Sequence, residues 1–355
     1  MAVQKFTISR DDSVYEAFPD VVLTPKGKLL CMFTEMTHHG DRSYTRVVYC
    51  TSQDRGRTWS GKNYLSESTL GTGYSYDCVR MSYLPDGRLS VVCNRGSRPQ
   101  EGKAPQAPVI VLWLGDAEGT QWEGPFDTPA YGIVPDRIVT TRTGRLLLSA
   151  HYPDAETGKL AQQLWYSDDN LRTWQGPVVV GKDPQLNLCE VSIVQHPQGP
   201  LVALMRENSG KGYDCYKAIS RDDGESWEPL HTMPLPGCHR PTAGFLQSGN
   251  VLVTYRFMQG GKGWLGFWTQ NMFAALTSSQ SLLRSQRDEQ WSRIMPLDYD
   301  RSPVSDLGYT GWVQFPDGEI YVVSYIVDDA PKAQIRGYSL RESDFCLGEI
   351  GEPQE

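Results

Sequence analysis

An all-β fold, a six-bladed β-propeller with about four antiparallel strands per blade, is what the sequence predicts, and three observations carry the prediction. An apolar run, a turn with Gly and a second apolar run recur six times along the 355 residues. The turn glycines, Gly27, Gly87, Gly144, Gly199, Gly249 and Gly318, are spaced by 60, 57, 55, 50 and 69 residues, the length of a four-stranded blade. Gly (34), Pro (23), Trp (10) and Tyr (18) are plentiful, as many short strands joined by tight turns require. No long amphipathic helix interrupts the pattern. A β-sandwich or a jelly roll needs no sixfold unit of this size.

Each unit reads as a β-hairpin. In order they are "PDVVLTPKGKLLCMFTE" (19–35), "VRMSYLPDGRLSVVCNR" (79–95) and "PDRIVTTRTGRLLLSAH" (135–151), then "EVSIVQHPQGPLVALMR" (190–206), "HRPTAGFLQSGNVLVTYRF" (239–257) and "YTGWVQFPDGEIYVVSYI" (309–326). Within them, "PKG" and "PDG" place Gly where a turn demands positive φ. Further strand-like segments follow each hairpin, among them "TRVVYCTS" (45–52), "APVIVLWLG" (107–115) and "QQLWYSD" (162–168). These units fill one propeller over residues 1–355.

An acidic octet marks the phase of the blades. "TSQDRGRTWS" (51–60) has looser copies in "YSDDNLRTWQ" (166–175) and "ISRDDGESWEP" (219–229). Each falls 23–27 residues after a turn Gly, where the third strand of a blade should turn into the fourth. There Asp54 and its counterparts satisfy backbone N–H groups, Gly permits the bend, and Trp59 returns toward the core. The octet is thus expected to serve structure and not chemistry.

Bulk properties narrow the partners. The net charge is −8 with no run of Lys or Arg, which argues against nucleic acid. No apolar run reaches membrane-spanning length, and "MAVQKFTISRDD" has no apolar core of a signal peptide, so a cytoplasmic location is expected. The eight cysteines show no CxxC and no zinc spacing and read as buried apolar residues. No cofactor or metal is called for, although His38, His39 and Asp41 share one loop.

In a propeller the first strand of each blade lines the central channel, and a site forms where the strand edges converge. Polar residues entering the hairpins at that edge are Asp20, Arg80, Asp136 or Arg137, Glu190, Arg240 with His239, and Tyr309. Those leaving are Glu35, Arg95, His151, Arg206, Arg256 and Tyr325. Converging arginines suit an anionic group, most simply a carboxylate held bidentately. Charged groups crowded together shift one another's pKa, as acid–base catalysis requires.

Six such units with acidic octets resemble the Asp-box (BNR) propellers of the sialidase (neuraminidase) superfamily over essentially the whole chain. The resemblance implies a Tyr nucleophile activated by a Glu, an exception to the two-carboxylate glycosidases. "LCEVSIVQHPQGPLVALMR" is similar to the fourth-blade stretch and implies Glu190 as base and Arg206 as a carboxylate ligand. "DLGYTGWVQFPDGEIYVVSY" resembles the last-blade stretch and implies Tyr309 as nucleophile, and "FTEMTHHGDRSYTRVVYCTS" implies Asp41 as acid/base, with His38 or His39 as substitutes. Two family arginines are missing: Ala17 stands in "EAFPDVV" where the first belongs, and "WLGFWTQNMFAAL" (264–276) has no Arg for the third. Arg240 and Arg256, with Asp20, Asp136, Arg80, His239 and Glu35, complete the expected substrate-binding set. The aromatic stretch 260–273 is read either as a sugar-stacking loop or as a packed strand. The implied activity is exo-acting hydrolysis of a terminal acidic (sialic-acid-like) or unusual sugar from a carbohydrate substrate. A non-catalytic carbohydrate-binding propeller, a polysaccharide lyase and an inverting hydrolase are the alternatives.

Overall fold

The computed structural model describes residues 3–98, 107–259 and 269–345. Strand β1 (Gln4–Ser9) comes first. Blade one is β2 (Tyr15–Leu23), β3 (Leu29–His38), β4 (Asp41–Ser52) and β5 (Asn63–Tyr64); blade two is β6 (Tyr74–Tyr83), β7 (Leu89–Ser97), β8 (Val109–Gly115) and β9 (Trp122–Tyr131). Blade three is β10 (Val139–Thr140), β11 (Leu146–Pro153), β12 (Leu160–Ser167) and β13 (Gln175–Gly181); blade four is β14 (Leu188–Gln195), β15 (Leu201–Glu207), β16 (Asp214–Ser220) and β17 (His231–Pro236). Blade five is β18 (Cys238–Phe245), β19 (Asn250–Gln259), β20 (Thr269–Ser278) and β21 (Arg293–Tyr299), and blade six is β22 (Leu307–Gln314), β23 (Glu319–Ile326) and β24 (Gln334–Arg341). β1 pairs antiparallel with β24, so the N-terminal strand becomes the fourth strand of blade six and closes the ring. Closure packs blade one against blade six, so that neither presents an uncovered apolar face.

The predicted six-bladed architecture is therefore the observed one. One α-helix of a single turn, α1 (Ser279–Leu283), occurs among the described residues. No described helix is long and apolar enough to cross a membrane. Six apolar layers hold the ring, one between each successive pair of blades; Leu30, Met32 and Val47 of blade one meet Val79, Val91 and Trp113 of blade two, for example. The seven described cysteines are buried and free, in keeping with small apolar fillers of these layers.

The octets sit where the spacing predicts, after the third strand. Ser52 Oγ donates to Asp54 Oδ1 at 2.8 Å and accepts from the Gly56 N–H at 2.8 Å, while Asp54 accepts from Thr58 N at 2.9 Å. Trp59 packs on Tyr321 between blades one and six, and both donate to the Gly56 carbonyl. Leu171 takes the Gly position of the second octet with φ 74°, a conformation costly for a branched side chain. A fourth such turn, missed in the sequence, is built on Asp116, whose carboxylate accepts from the Thr120 and Gln121 N–H groups at 2.6 and 2.8 Å. Asp54→Ala is expected to lower the thermal midpoint by a few degrees and leave ligand binding unchanged. Calorimetry and a binding titration check both halves.

Inner strands carry a repeated irregularity that shapes the channel mouth. At the channel end of each blade's inner hairpin one residue has left-handed φ between 51° and 59°: Phe18, Cys78, Val134, Glu190, Arg240 and Tyr309. In five blades it lies within a register shift of the first strand pair, between Ala17 and Asp20 in blade one and at the matching place in blades two, four, five and six. A bulge of this kind re-aims a side chain out of the ladder. Non-Gly residues there carry strain that the surrounding structure must hold in place. Two residues further on lies a second ring. Asp20 accepts from Met81 N at 2.8 Å, Asp136 from Ile193 N at 2.7 Å, and Ser192 from Ala243 N at 3.1 Å, each tying one blade to the next.

Candidate active site

The bulges of blades four and six aim Glu190 and Tyr309 at each other. The Tyr309 hydroxyl donates to Glu190 Oε1, and the Arg206 guanidinium donates to the same oxygen at 2.7 Å. Arg206 also donates to Asn208 Oδ1 at 2.5 Å, which fixes its fork. Arg256 lies with its guanidinium carbon 5.1 Å from the Tyr309 ring centroid and 3.7 Å (Nη1) from Asp306 Oδ1. Phe18 packs against the tyrosine, ring centroids 4.9 Å apart. All four polar groups are buried, so solvent screens them weakly.

The charges follow from this packing. Burial pushes the Glu190 carboxyl up, but Arg206 and Arg256, with hydrogen bonds from Arg206 and Tyr309, outweigh it and hold it well below the usual carboxylate range. Burial, with the Glu190 charge added, drives the Tyr309 phenol well above its ordinary value despite the two arginines. The resting pair is thus a neutral phenol donating to a carboxylate. A proton leaving Tyr309 has an ionised acceptor already in hydrogen-bond contact.

Tyr309, Arg206 and Arg256 open onto a cleft of about 1060 Å³. Its walls include Tyr15, His38, His39 and Gly40 from blade one, Arg206, Arg256 with Met258, Tyr309, and the loops 302–306 and 327–331. Asp306, which sequence reasoning missed, sits in the wall. It accepts from the Tyr15 hydroxyl, from Tyr325 at 2.8 Å and from His39 Nδ1. Burial pushes the Asp306 carboxyl up, yet the bond to His39, the His39 and Arg256 charges and the Tyr15 bond bring it below its ordinary value.

Several expected members are elsewhere. Asp41 is exposed at the start of β4, its carboxylate spent on the Ser43 N–H at 2.8 Å, and it is not among the cleft-lining residues. Glu35 turns away from the channel into a buried cluster, where it accepts from Lys62 Nζ at 2.6 Å and from Tyr44, while Glu16 shares the lysine at 2.9 Å. Asp20, Arg80 and Asp136 belong to the deeper ring: Arg80 lies 3.3 Å from Asp20 and 3.8 Å from Asp136 and donates to the Thr310 carbonyl. Arg240 folds beneath the pair and donates to the Pro135 carbonyl at 2.9 Å and that of Val191 at 3.3 Å. His239 is buried beside Arg206 and Arg256; burial, then their charges, lowers its pKa to about 2, so it is a neutral imidazole. Of the aromatic stretch 260–273, residues 260–268 lie outside the described residues. No group of three or more His, Cys, Asp or Glu able to hold a metal occurs among the described residues.

Sequence comparison with curated proteins yields no match. A family model described as a BNR repeat-like domain matches residues 81–322. Among solved structures, a protein of unknown function from Dyadobacter fermentans superposes with a TM-score of 0.80 at 20% identity, covering 96% of this chain and 98% of the other. A Trypanosoma rangeli sialidase in complex with sialic acid gives 0.65 at 14% identity over 94% of this chain and 56% of that one. The intramolecular trans-sialidase from Ruminococcus gnavus in complex with oseltamivir carboxylate gives 0.66 at 12% identity over 93% and 95%.

Proposed function

The chain belongs to the BNR repeat-like family, and from that premise we propose that it is an exo-acting glycoside hydrolase releasing a terminal acidic, sialic-acid-like sugar. The hydrogen bond from Tyr309 to Glu190 at the base of the cleft carries this reading. A carboxylate on the sugar would repel a carboxylate nucleophile, whereas a neutral phenol approaches without that cost. Glu190 takes the phenolic proton as the oxygen attacks the anomeric carbon. Arg206 and Arg256, both on the cleft wall, receive the sugar carboxylate. The rings of Phe18 and Tyr325 pack against that of Tyr309, with centroids 4.9 and 6.3 Å away, and hold it in place. Two similar propellers are sialidases by name, one of them bound to sialic acid, which agrees with this substrate class.

The test is a screen of aryl glycosides of sialic acid, related ulosonic acids and neutral sugars, with the first-formed product followed by proton NMR. Turnover of an acidic glycoside with retention at the anomeric centre is expected. Inversion removes the nucleophilic role of Tyr309, and turnover confined to neutral sugars removes the arginine pair from substrate binding.

A further inference from the structure

Breaking a glycosidic bond leaves an alkoxide unless a proton reaches the departing oxygen, and the pair at the cleft base does not supply it. Glu190 is ionised and receives a proton in the same step. The other ionisable groups on the cleft wall are mostly committed. Asp306 accepts three hydrogen bonds, and Asp328 is clamped by Arg301 at 2.5 Å and Arg336 at 2.9 Å. Asp329 is held at the rim by Arg10 and Gln334. His39 differs. Its Nδ1 is on Asp306 and its ring lines the cleft with the side chain 39% exposed, so Nε2 is the edge available to a ligand.

We propose that His39 is the general acid/base of this site and that Asp306 positions it. The inference rests on the hydrolase reading and assigns the proton donor within it. An Nδ1 bond to a carboxylate fixes the ring and leaves Nε2 as the edge that meets a ligand in the cleft. The backbone is fixed as well: Arg42 donates to the His38 carbonyl at 2.9 Å and to that of His39, and Lys332 to that of Thr37 at 3.1 Å. Groups facing the ring are Asp306 from the loop before β22, Tyr325 of β23 (6.4 Å between centroids), Tyr15 of β2 (6.4 Å) and Phe18 of β2 (5.3 Å), with Arg256 behind Asp306. In the first step the Tyr309 oxygen bonds to the anomeric carbon, its proton passes to Glu190, and the carbon–oxygen bond to the leaving group breaks as His39 Nε2 protonates that oxygen. In the second, neutral His39 takes a proton from water, the hydroxide displaces Tyr309, and the phenolate recovers its proton from Glu190. Atoms and charge balance over the two steps.

Leaving-group dependence tests the assignment. The wild type, His39→Ala, Asp41→Asn and Tyr309→Phe are compared on two glycosides of one sugar, one releasing 4-nitrophenolate and one an aliphatic alcohol. His39→Ala is expected to slow the alkyl glycoside by roughly 10²–10⁴-fold and the nitrophenyl glycoside far less, because nitrophenolate departs without protonation. Asp41→Asn is expected to match the wild type on both. Asp306→Asn should slow the alkyl glycoside and shift the His39 Nδ1–H resonance in ¹⁵N-histidine NMR, a readout that a purely structural change elsewhere leaves in place. Equal losses on both glycosides for His39→Ala, or a selective loss in Asp41→Asn instead, overturn the role of His39 while the nucleophile reading stands. Full activity of Tyr309→Phe, or no turnover by the wild type on either glycoside, overturns the hydrolase reading and the acid role with it.

Discussion

Tyr309→Phe is expected to lower kcat by roughly a thousandfold or more on any glycoside the wild type turns over, the scale of losing a nucleophile, with little change in thermal midpoint. The variant removes one oxygen. Its ring keeps the packing on Phe18 at 4.9 Å and the face presented to Arg256. Glu190 keeps its 2.7 Å bond from Arg206, so the carboxylate remains compensated. The stability cost is therefore that of one hydrogen bond to a charged group, about 1.5–3 kcal/mol at most. Chemistry has no such reserve, because among the described residues no other hydroxyl donates to Glu190. Steady-state kinetics beside calorimetry separates the two effects. Turnover close to wild type would show that the phenol is not the attacking group.

How the site follows from the chain is a matter of register. The bulge residue lies nine positions before the turn Gly in five blades, as in Glu190 before Gly199 and Tyr309 before Gly318, and ten before it in blade three. Glu190 and Tyr309 are legible because their ionisable side chains stand in that register. Asp20, Arg80 and Asp136 stand two residues further along, where Asp20 and Asp136 accept from the next blade's backbone and Arg80 donates to the Thr310 carbonyl of blade six. On the returning strand, Arg206 and Arg256 stand seven residues after the turn Gly, whereas Glu35 and Arg95 stand eight after it. A one-residue slip in a strand exchanges its two faces. Glu35 accordingly meets Lys62, and Arg95 meets Asp127, away from the cleft. Thr34 and Asn94 hold the true register, and Asn94 accepts from Val134 N at 3.1 Å at the channel mouth. Asp306 is a different case. It lies on a loop outside any hairpin, so no repeat announces it, and only the folded ring brings it to His39, which is 267 residues distant in the chain.

Arg206→Met is expected to destabilise the protein by about 3 kcal/mol at pH 7, the lower end of the cost of stranding a buried charge, because Arg256 remains near Glu190. The pH dependence carries the stronger test. In the wild type the folded Glu190 pKa is depressed, so its contribution is fully present above the ordinary value of 4.5 and is lost only as pH falls below that. Without Arg206, burial acts on Glu190 against Arg256 and the Tyr309 bond alone, and the carboxyl moves up. A raised carboxyl pKa reverses the sign: the folded state then loses stability as pH rises past 4.5. The gap between wild type and variant should therefore be widest at neutral pH and close as the solution is acidified. Urea unfolding at pH 7 and pH 5 measures it, and adding Glu190→Gln to the variant should recover part of the loss at pH 7, since it removes the stranded charge. An equal deficit at both pH values, with no recovery in the double variant, would mean that Arg206 stabilises the fold through packing of its stem and not through Glu190.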